Sequence, residues 1–234
     1  MRIIYPHPHT LISSNIADPT ERDKMFDNFL DTQSSKATAI IVEIDASNCD
    51  RFMLFNLDAL QIDVELTNDD TSAVVFTDSH DLSLGNGLYK QSLIATIPIF
   101  ADATLKLTIG YTGGTAKCGY CRAGWSTSIG ATKYVVKPGF VDYSVKDTDG
   151  FGYTYLSVGA WAKRVDLDIL VLFGASDNVV EDLVSARGAL VGIESNENGT
   201  DYESLRLLGF FKDWKLNMSN LTVNNLQVDF QGVI

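Results

Sequence analysis

Residues 60–67 read Leu-Gln-Ile-Asp-Val-Glu-Leu-Thr, with Leu60, Ile62, Val64 and Leu66 on one side and Gln61, Asp63, Glu65 and Thr67 on the other. Successive side chains of a strand point to opposite faces, so this alternation predicts an antiparallel strand with one face on a core and one in water. The same period returns in residues 166–173. There Leu167, Ile169, Val171 and Phe173 alternate with Asp166, Asp168, Leu170 and Leu172. The second set turns apolar along its length, which predicts a central strand buried on both faces.

Outward from these two segments the chain keeps the same rhythm. Short runs rich in Val, Ile, Tyr, Phe and Thr are separated by clusters of Gly, Asn, Asp and Ser. Strands are predicted at 37–44, 51–57, 59–66, 72–76, 90–99, 104–111, 118–123, 132–136 and 153–173, the last long enough to bend or break. One helix fits 178–187, where Val179, Val180, Leu183 and Val184 have helical spacing, Ser176 or Asp177 can cap the start, and Gly188 can take the positive φ past the end. Residues 20–31 carry a second stripe, Met25, Phe26, Phe29 and Leu30, that fits a helix or a loop pinned by its two Phe rings. Turns recur every 8–12 residues or so, as in sandwiches and barrels. The expected architecture is an all-β, antiparallel β-sandwich over 37–234, with one or two short helices, preceded by an N-terminal arm over 1–36.

Composition bounds the function. The 234 residues are 45% hydrophobic, 10% aromatic and 21% charged, and no apolar run approaches the roughly 18 residues of a membrane helix. Thirty acidic against 18 basic residues leave a net charge of −12, which opposes contact with phosphate backbones, so nucleic acid is not an expected partner. Pro6, His7, Pro8 and His9 interrupt the opening residues, which therefore do not read as a secretory signal, and synthesis in the cytoplasm is expected. Three cysteines do not make a disulfide framework and are expected to be reduced.

No motif reaches a catalytic or metal-binding constellation, and no cofactor is expected. Cys118-Gly119-Tyr120-Cys121 has C-x-x-C spacing but no helical stripe after it, and in a strand residues three apart face opposite ways, so two separate buried thiols are expected. His7 and His9 lack placed co-ligands, and His80 sits in a predicted turn among acids. Asp147-Thr148-Asp149-Gly150 imitates part of a calcium loop. Val145 stands where that loop needs Asp, and a turn whose Asp side chains bond their own backbone explains the stretch more simply. The Asn-x-Ser/Thr triplets at Asn198, Asn217 and Asn220 read as turn residues. Tyr120 and Trp125 are candidates for stacking on sugars; the alternative is that such rings fill the core or an interface.

Three longer stretches carry a resemblance: Phe140-Val141-Asp142-Tyr143-Ser144-Val145-Lys146-Asp147-Thr148-Asp149-Gly150-Phe151-Gly152, then Trp161-Ala162-Lys163-Arg164, then Leu208-Gly209-Phe210-Phe211-Lys212-Asp213-Trp214. Together with the opening MRIIYP, the TLISSN that follows and Met25-Phe26-Asp27, they resemble the DYS-x-K-x-x-D-x-FG and GF-x-KD-aromatic motifs of a family of virion proteins of tailed bacteriophages. The resemblance spans nearly the whole chain. It departs in one place, since only Ile16 to Lys24 separates the TLISSN-like and MFD-like elements where related proteins often carry a tryptophan-rich, sugar-binding-like insert. It implies a virion tail or baseplate component, or a fibre-attachment adaptor, with a galactose-binding-like jelly roll. The expected partners are other tail, baseplate or fibre proteins and further copies of the chain. The alternative is a carbohydrate-binding module that touches host-surface glycans.

The charges in these motifs, Asp142, Lys146, Asp149, Lys163, Arg164, Lys212 and Asp213, stand among Tyr143, Trp161, Phe210 and Trp214. They are expected to pair with one another and fix strand register or subunit contacts, because desolvating a lone charge costs several kcal/mol; otherwise they are solvated strand edges. Tyr5, Phe26 and Phe29 are the arm residues expected to pack on a neighbour.

Overall fold

A computed structural model describes residues 1–8, 11–85, 87–195, 203–218 and 222–233, with backbone only for 134 and 135. The protein is an all-β, antiparallel structure with two short helices, as the alternation requires. Thirteen strands join in one continuous network that curls around two cores.

The first half is built from β1 (Arg2–Pro6), β2 (Leu11–Ser14), α1 (Pro19–Asp23), β3 (Ser34–Asp45), β4 (Arg51–Asp58), β5 (Gln61–Asn68), β6 (Ala73–Asp81), a small hairpin of β7 (Ser83–Gly85) and β8 (Leu88–Tyr89), β9 (Ser92–Thr96) and β10 (Ala103–Ser128). The two predicted strands at 104–111 and 118–123 are one strand of 26 residues, bulged between Gly110 and Thr115. Gly113 has φ +79°, and a Cβ on Gly114 would overlap the Tyr111 ring, so the bulge depends on this glycine pair. Before the bulge β10 pairs with β3 and β5; after it, with β4 and the start of β3. One sandwich core, containing Phe52 and Leu54 of β4 and Ile62, Val64 and Leu66 of β5, is enclosed this way.

The second half holds β11 (Ala131–Asp142), β12 (Val145–Thr148), β13 (Thr154–Ser157), β14 (Trp161–Leu172), α2 (Ser176–Ser185), β15 (Val191–Glu194), β16 (Arg206–Asn217) and β17 (Val223–Gly232). Its core joins Val165, Leu167, Ile169 and Val171 of β14 to Leu226, Val228 and Phe230 of β17 and to Val179 and Leu183 of α2. A third cluster, Ile4, Met53, Phe55, Ile94, Tyr120 and Leu208, seals the seam between the halves. It explains why β4 is buried on both faces: Phe52 and Leu54 serve the first core while Met53 and Phe55 serve the seam.

Four expectations need correction. Residues 1–36 are not a detached arm: β1 is paired with β10 on one side and β15 on the other, and Ile3 and Ile4 are both fully buried, one in the second core and one in the seam. Strand β14 does lie between β11 and β17, but its second face is open, with Leu172 67% exposed. Helix α2 starts at Ser176 without a side-chain cap; the Ser176 hydroxyl instead donates to Leu172 O and accepts from Asn224 Nδ2. His80 is in β6, opposite Ile62, and not in a turn.

Candidate interaction surface

The hairpin β11–β14 continues outward past its last register pair, Asp142 opposite Trp161. The Tyr143 amide donates to Ala160 O at 3.0 Å and the Gly159 amide to Ser144 Oγ at 3.0 Å, a kink that passes the hairpin on to β12 and β13. These two strands pair only with each other, from Val145 opposite Ser157 to Thr148 opposite Thr154. The break predicted within 153–173 falls here, at 158–160.

Asp149 builds the tip. Its Oδ1 accepts from the Phe151 and Tyr153 amides, 2.9 Å each, its Oδ2 accepts from the Tyr155 hydroxyl at 3.2 Å, and its own amide donates to Tyr153 O. Gly152, at φ +87°, completes the turn. These bonds, the Tyr153 amide foremost, hold the Asp149 carboxyl below its usual range. At the root, Ser144 does the same for Asp142 through its hydroxyl and its amide, which donates at 2.9 Å, with Lys146 adding a smaller effect. The calcium-like stretch is thus a self-bonded turn. Among the described residues no three His, Cys, Asp or Glu side chains gather as metal ligands.

Much of what this hairpin presents is apolar, interspersed with Lys146, Asp147 and Asp149. All residues of β12 and β13 are exposed, Phe151 at the tip is 91% exposed and Val158 80%, and Phe140 and Trp161 meet edge-to-face at the root, 6.5 Å between centroids. Large contiguous apolar patches on a monomer are characteristic of interaction sites. Tyr143 ties the root to the body by accepting from Gln231 Nε2 at 2.6 Å.

Beneath the root lies a groove of about 280 Å³ at the seam, where Leu30, Phe55 and Ser92 of the first half meet Trp161, Lys163, Leu208 and Val233 of the second. The Gln91 amide, also in its wall, donates to a Glu203 carboxylate oxygen across the seam. A second, polar groove of about 310 Å³ lies on the outer sheet face between β11, β14, β16 and β17. Lys137, Asp166, Asp229 and Asp213 stand in consecutive register across it. Arg164 lies diagonal to Asp229 and also donates to Asp166 at 3.2 Å.

The expected network of motif charges therefore does not form. Arg164 pairs with Asp229 and Asp166, neither of them singled out from sequence, while Lys146, Lys163 and Lys212 have no carboxylate within ion-pair distance among the described residues. Asp213 accepts from the Trp214 amide, Lys212 is the bulged residue between two register pairs, Phe210 is partly exposed, and Trp214 leans on the second core. The Asp229 partner was readable in principle, since Gln227, Asp229 and Gln231 alternate with Leu226, Val228 and Phe230. That required recognising residues 223–232 as a strand.

The remaining assignments separate. Tyr5 stacks on Trp125 at 5.8 Å between centroids, its hydroxyl donates to Asp182 O at 2.8 Å, and burial, then Asp182, raises its pKa to about 12. Phe26 is buried under the Arg122 guanidinium, whereas Phe29 is 63% exposed. Tyr120 is only 1% exposed and cannot stack on a glycan; Trp125 is 44% exposed, with one face against Tyr5 and a T-shaped contact with His7. His9, Asn198 and Asn220 lie outside the described residues. Cys118 and Cys121 are free and buried, as expected, but in the same core rather than on opposite sides of the strand. Asn56, in the partner strand at φ 52°, interrupts the regular pleat opposite Gly119, so that Leu57 with Cys118 and Leu54 with Cys121 all turn inward.

Set against known proteins, the chain matches no family model and no curated protein.

No helix among the described residues is long and apolar enough to cross a membrane.

Proposed function

We propose that this chain is a non-catalytic structural component of a bacteriophage virion, in the tail or baseplate or at a fibre attachment, and that it assembles as a symmetric homo-oligomer. One observation carries the reading. The densest part of the phage-like motif, residues 140–152, forms the projecting hairpin, and its aromatic residues contribute to neither core of their own chain. A segment that spends Phe151, Tyr153 and Tyr155 on solvent gains its stabilisation from a partner. The sugar-binding alternative has lost Tyr120 to the seam.

The test is light scattering on the full chain and on a variant with the hairpin shortened between Tyr143 and Ala160, with and without purified tail proteins. A defined oligomer that the shortening abolishes supports assembly. A monomer that saturably binds host glycans, with no affinity for tail proteins, would overturn it in favour of receptor recognition.

A further inference from the structure

Resting on that reading, we infer that the hairpin tip of one copy seats in the seam groove of the next, Phe151 entering between Leu30, Phe55, Leu208 and Val233. Knob and hole are on the same molecule. The tip does not fill its own groove, because Phe151 is almost wholly in solvent and β12 and β13 pair only with each other. A contact of this type is heterologous and head-to-tail, and it closes into a ring when the rotation between copies permits.

The occupant is argued from three features. The groove is mainly apolar yet contains Ser92, whose hydroxyl is buried and has no hydrogen-bond partner among the described residues. A buried unbonded hydroxyl is costly, and the backbone of an inserted turn supplies what it lacks. Charge is complementary: in a chain of net charge −12 the groove lining sets Lys163 and Arg206 against Asp31 alone, and Lys163 has no carboxylate partner among the described residues, while the tip brings Asp147 and a carboxylate, Asp149, held ionised by its own turn. Exposed aromatic area is also available on both sides of the contact. Phe140, Phe151, Tyr153, Tyr155 and Trp161 are each more than half exposed. With about 150–250 Å² per fully buried ring, the three tip rings offer roughly 440 Å² to one neighbour and the two root rings roughly 250 Å² to the other, the rest of the roughly 800 Å² per partner of a standard interface falling to the surrounding hairpin and groove residues. Trp161 lines the receiving groove, so each copy uses its tip toward one neighbour and its root toward the other.

The experiment mixes two full-length variants, Gly150→Cys at the tip and Asp31→Cys at the groove rim, with a short bismaleimide. Val74→Cys on β6, which does not line the groove, replaces Asp31→Cys in the control; the three native cysteines are buried and stay silent. The expected result is a covalent dimer of the Gly150→Cys and Asp31→Cys chains and none with Val74→Cys. Adding Phe151→Asp to the tip variant should abolish the crosslink and weaken association by about tenfold or more, as loss of an interface anchor does, without moving the melting temperature measured at concentrations where the chain is monomeric. An oligomer that persists in Phe151→Asp and gives no Gly150–Asp31 link would overturn the groove as the seat while leaving homo-oligomeric assembly intact. A strictly monomeric wild-type chain with no link overturns both.

Discussion

Arg164 closes on Asp229 with two parallel 2.8 Å hydrogen bonds, Nε to Oδ1 and Nη2 to Oδ2, diagonally across the β14–β17 pair. The pair sits within a row of three aspartates, Asp166, Asp229 and Asp213, whose mutual repulsion it relieves. Fork geometry makes it stronger than an ordinary surface ion pair, although both groups keep some exposure. Arg164→Ala should lower stability by about 1 kcal/mol in urea titration. The Arg164→Ala/Asp229→Ala double variant should lose less than the two single losses combined. Strict additivity would show that the pair contributes nothing.

The hairpin tip should be acid-sensitive. Because its native hydrogen bonds lower the Asp149 pKa, the stabilisation is fully present above the unfolded value, near 3.9, and disappears as pH falls through the lower native one. Protection factors for amide exchange at Phe151 and Tyr153, taken relative to the intrinsic rate at each pH, should therefore be high at neutral pH and fall only in strong acid. In Asp149→Asn these amides should lose their protection at neutral pH and show no such acid transition.

Tyr5 links β1 to α2, and its behaviour in alkali reports on that link. Its phenol ionises near 10 in the unfolded chain but at about 12 in the fold, so stability is complete below pH 10 and falls progressively between 10 and 12. Ultraviolet titration should show at least two tyrosines that fail to ionise near pH 10, Tyr5 and the buried Tyr120, and Tyr5→Phe should remove one of them. The same change deletes the bond to Asp182 O, with an expected cost of about 1 kcal/mol.

The cysteines should be invisible to reagents in the native state. Burial raises Cys49 and Cys121 to about 12 and Cys118 well above its usual value, so thiol labelling at pH 8 should be nil when folded and reach all three on unfolding. Since these thiols ionise near 8.5 once unfolded, stability should decline as pH rises above that point. Labelling of Cys118 or Cys121 without global unfolding would show that the first core opens locally.

Some structure was local and therefore legible. Leu60 to Leu66 needed only its own alternation to become β5, and Val179 with Leu183 needed only helical spacing to become the buried stripe of α2. The opening of the arm assigned to 1–36 shows no period of its own, since Met1 to Tyr5 is short and is ended by Pro6. Ile3 and Ile4 are buried on opposite faces of β1, a pattern that acquires meaning only between β10 and β15. The shared orientation of the two free thiols has a related cause: the face of Cys118 relative to Cys121 depends on Asn56, in a different strand.

The site divides along the same line. The motif from Phe140 to Gly152 was conspicuous in the sequence, and its Asp149 turn could be anticipated from side-chain-to-backbone bonding alone. That its aromatic residues point to solvent, that Arg164 finds Asp229 some 65 residues away, and that a groove lies under the hairpin root with a Ser92 hydroxyl unbonded among the described residues followed only from packing. By itself the sequence determined an all-β chain of alternating strands with one short amphipathic helix, because period and turn chemistry act between near neighbours. Tertiary structure decided the two cores, the seam and the exposed hairpin, because burial is set by which distant strands become adjacent.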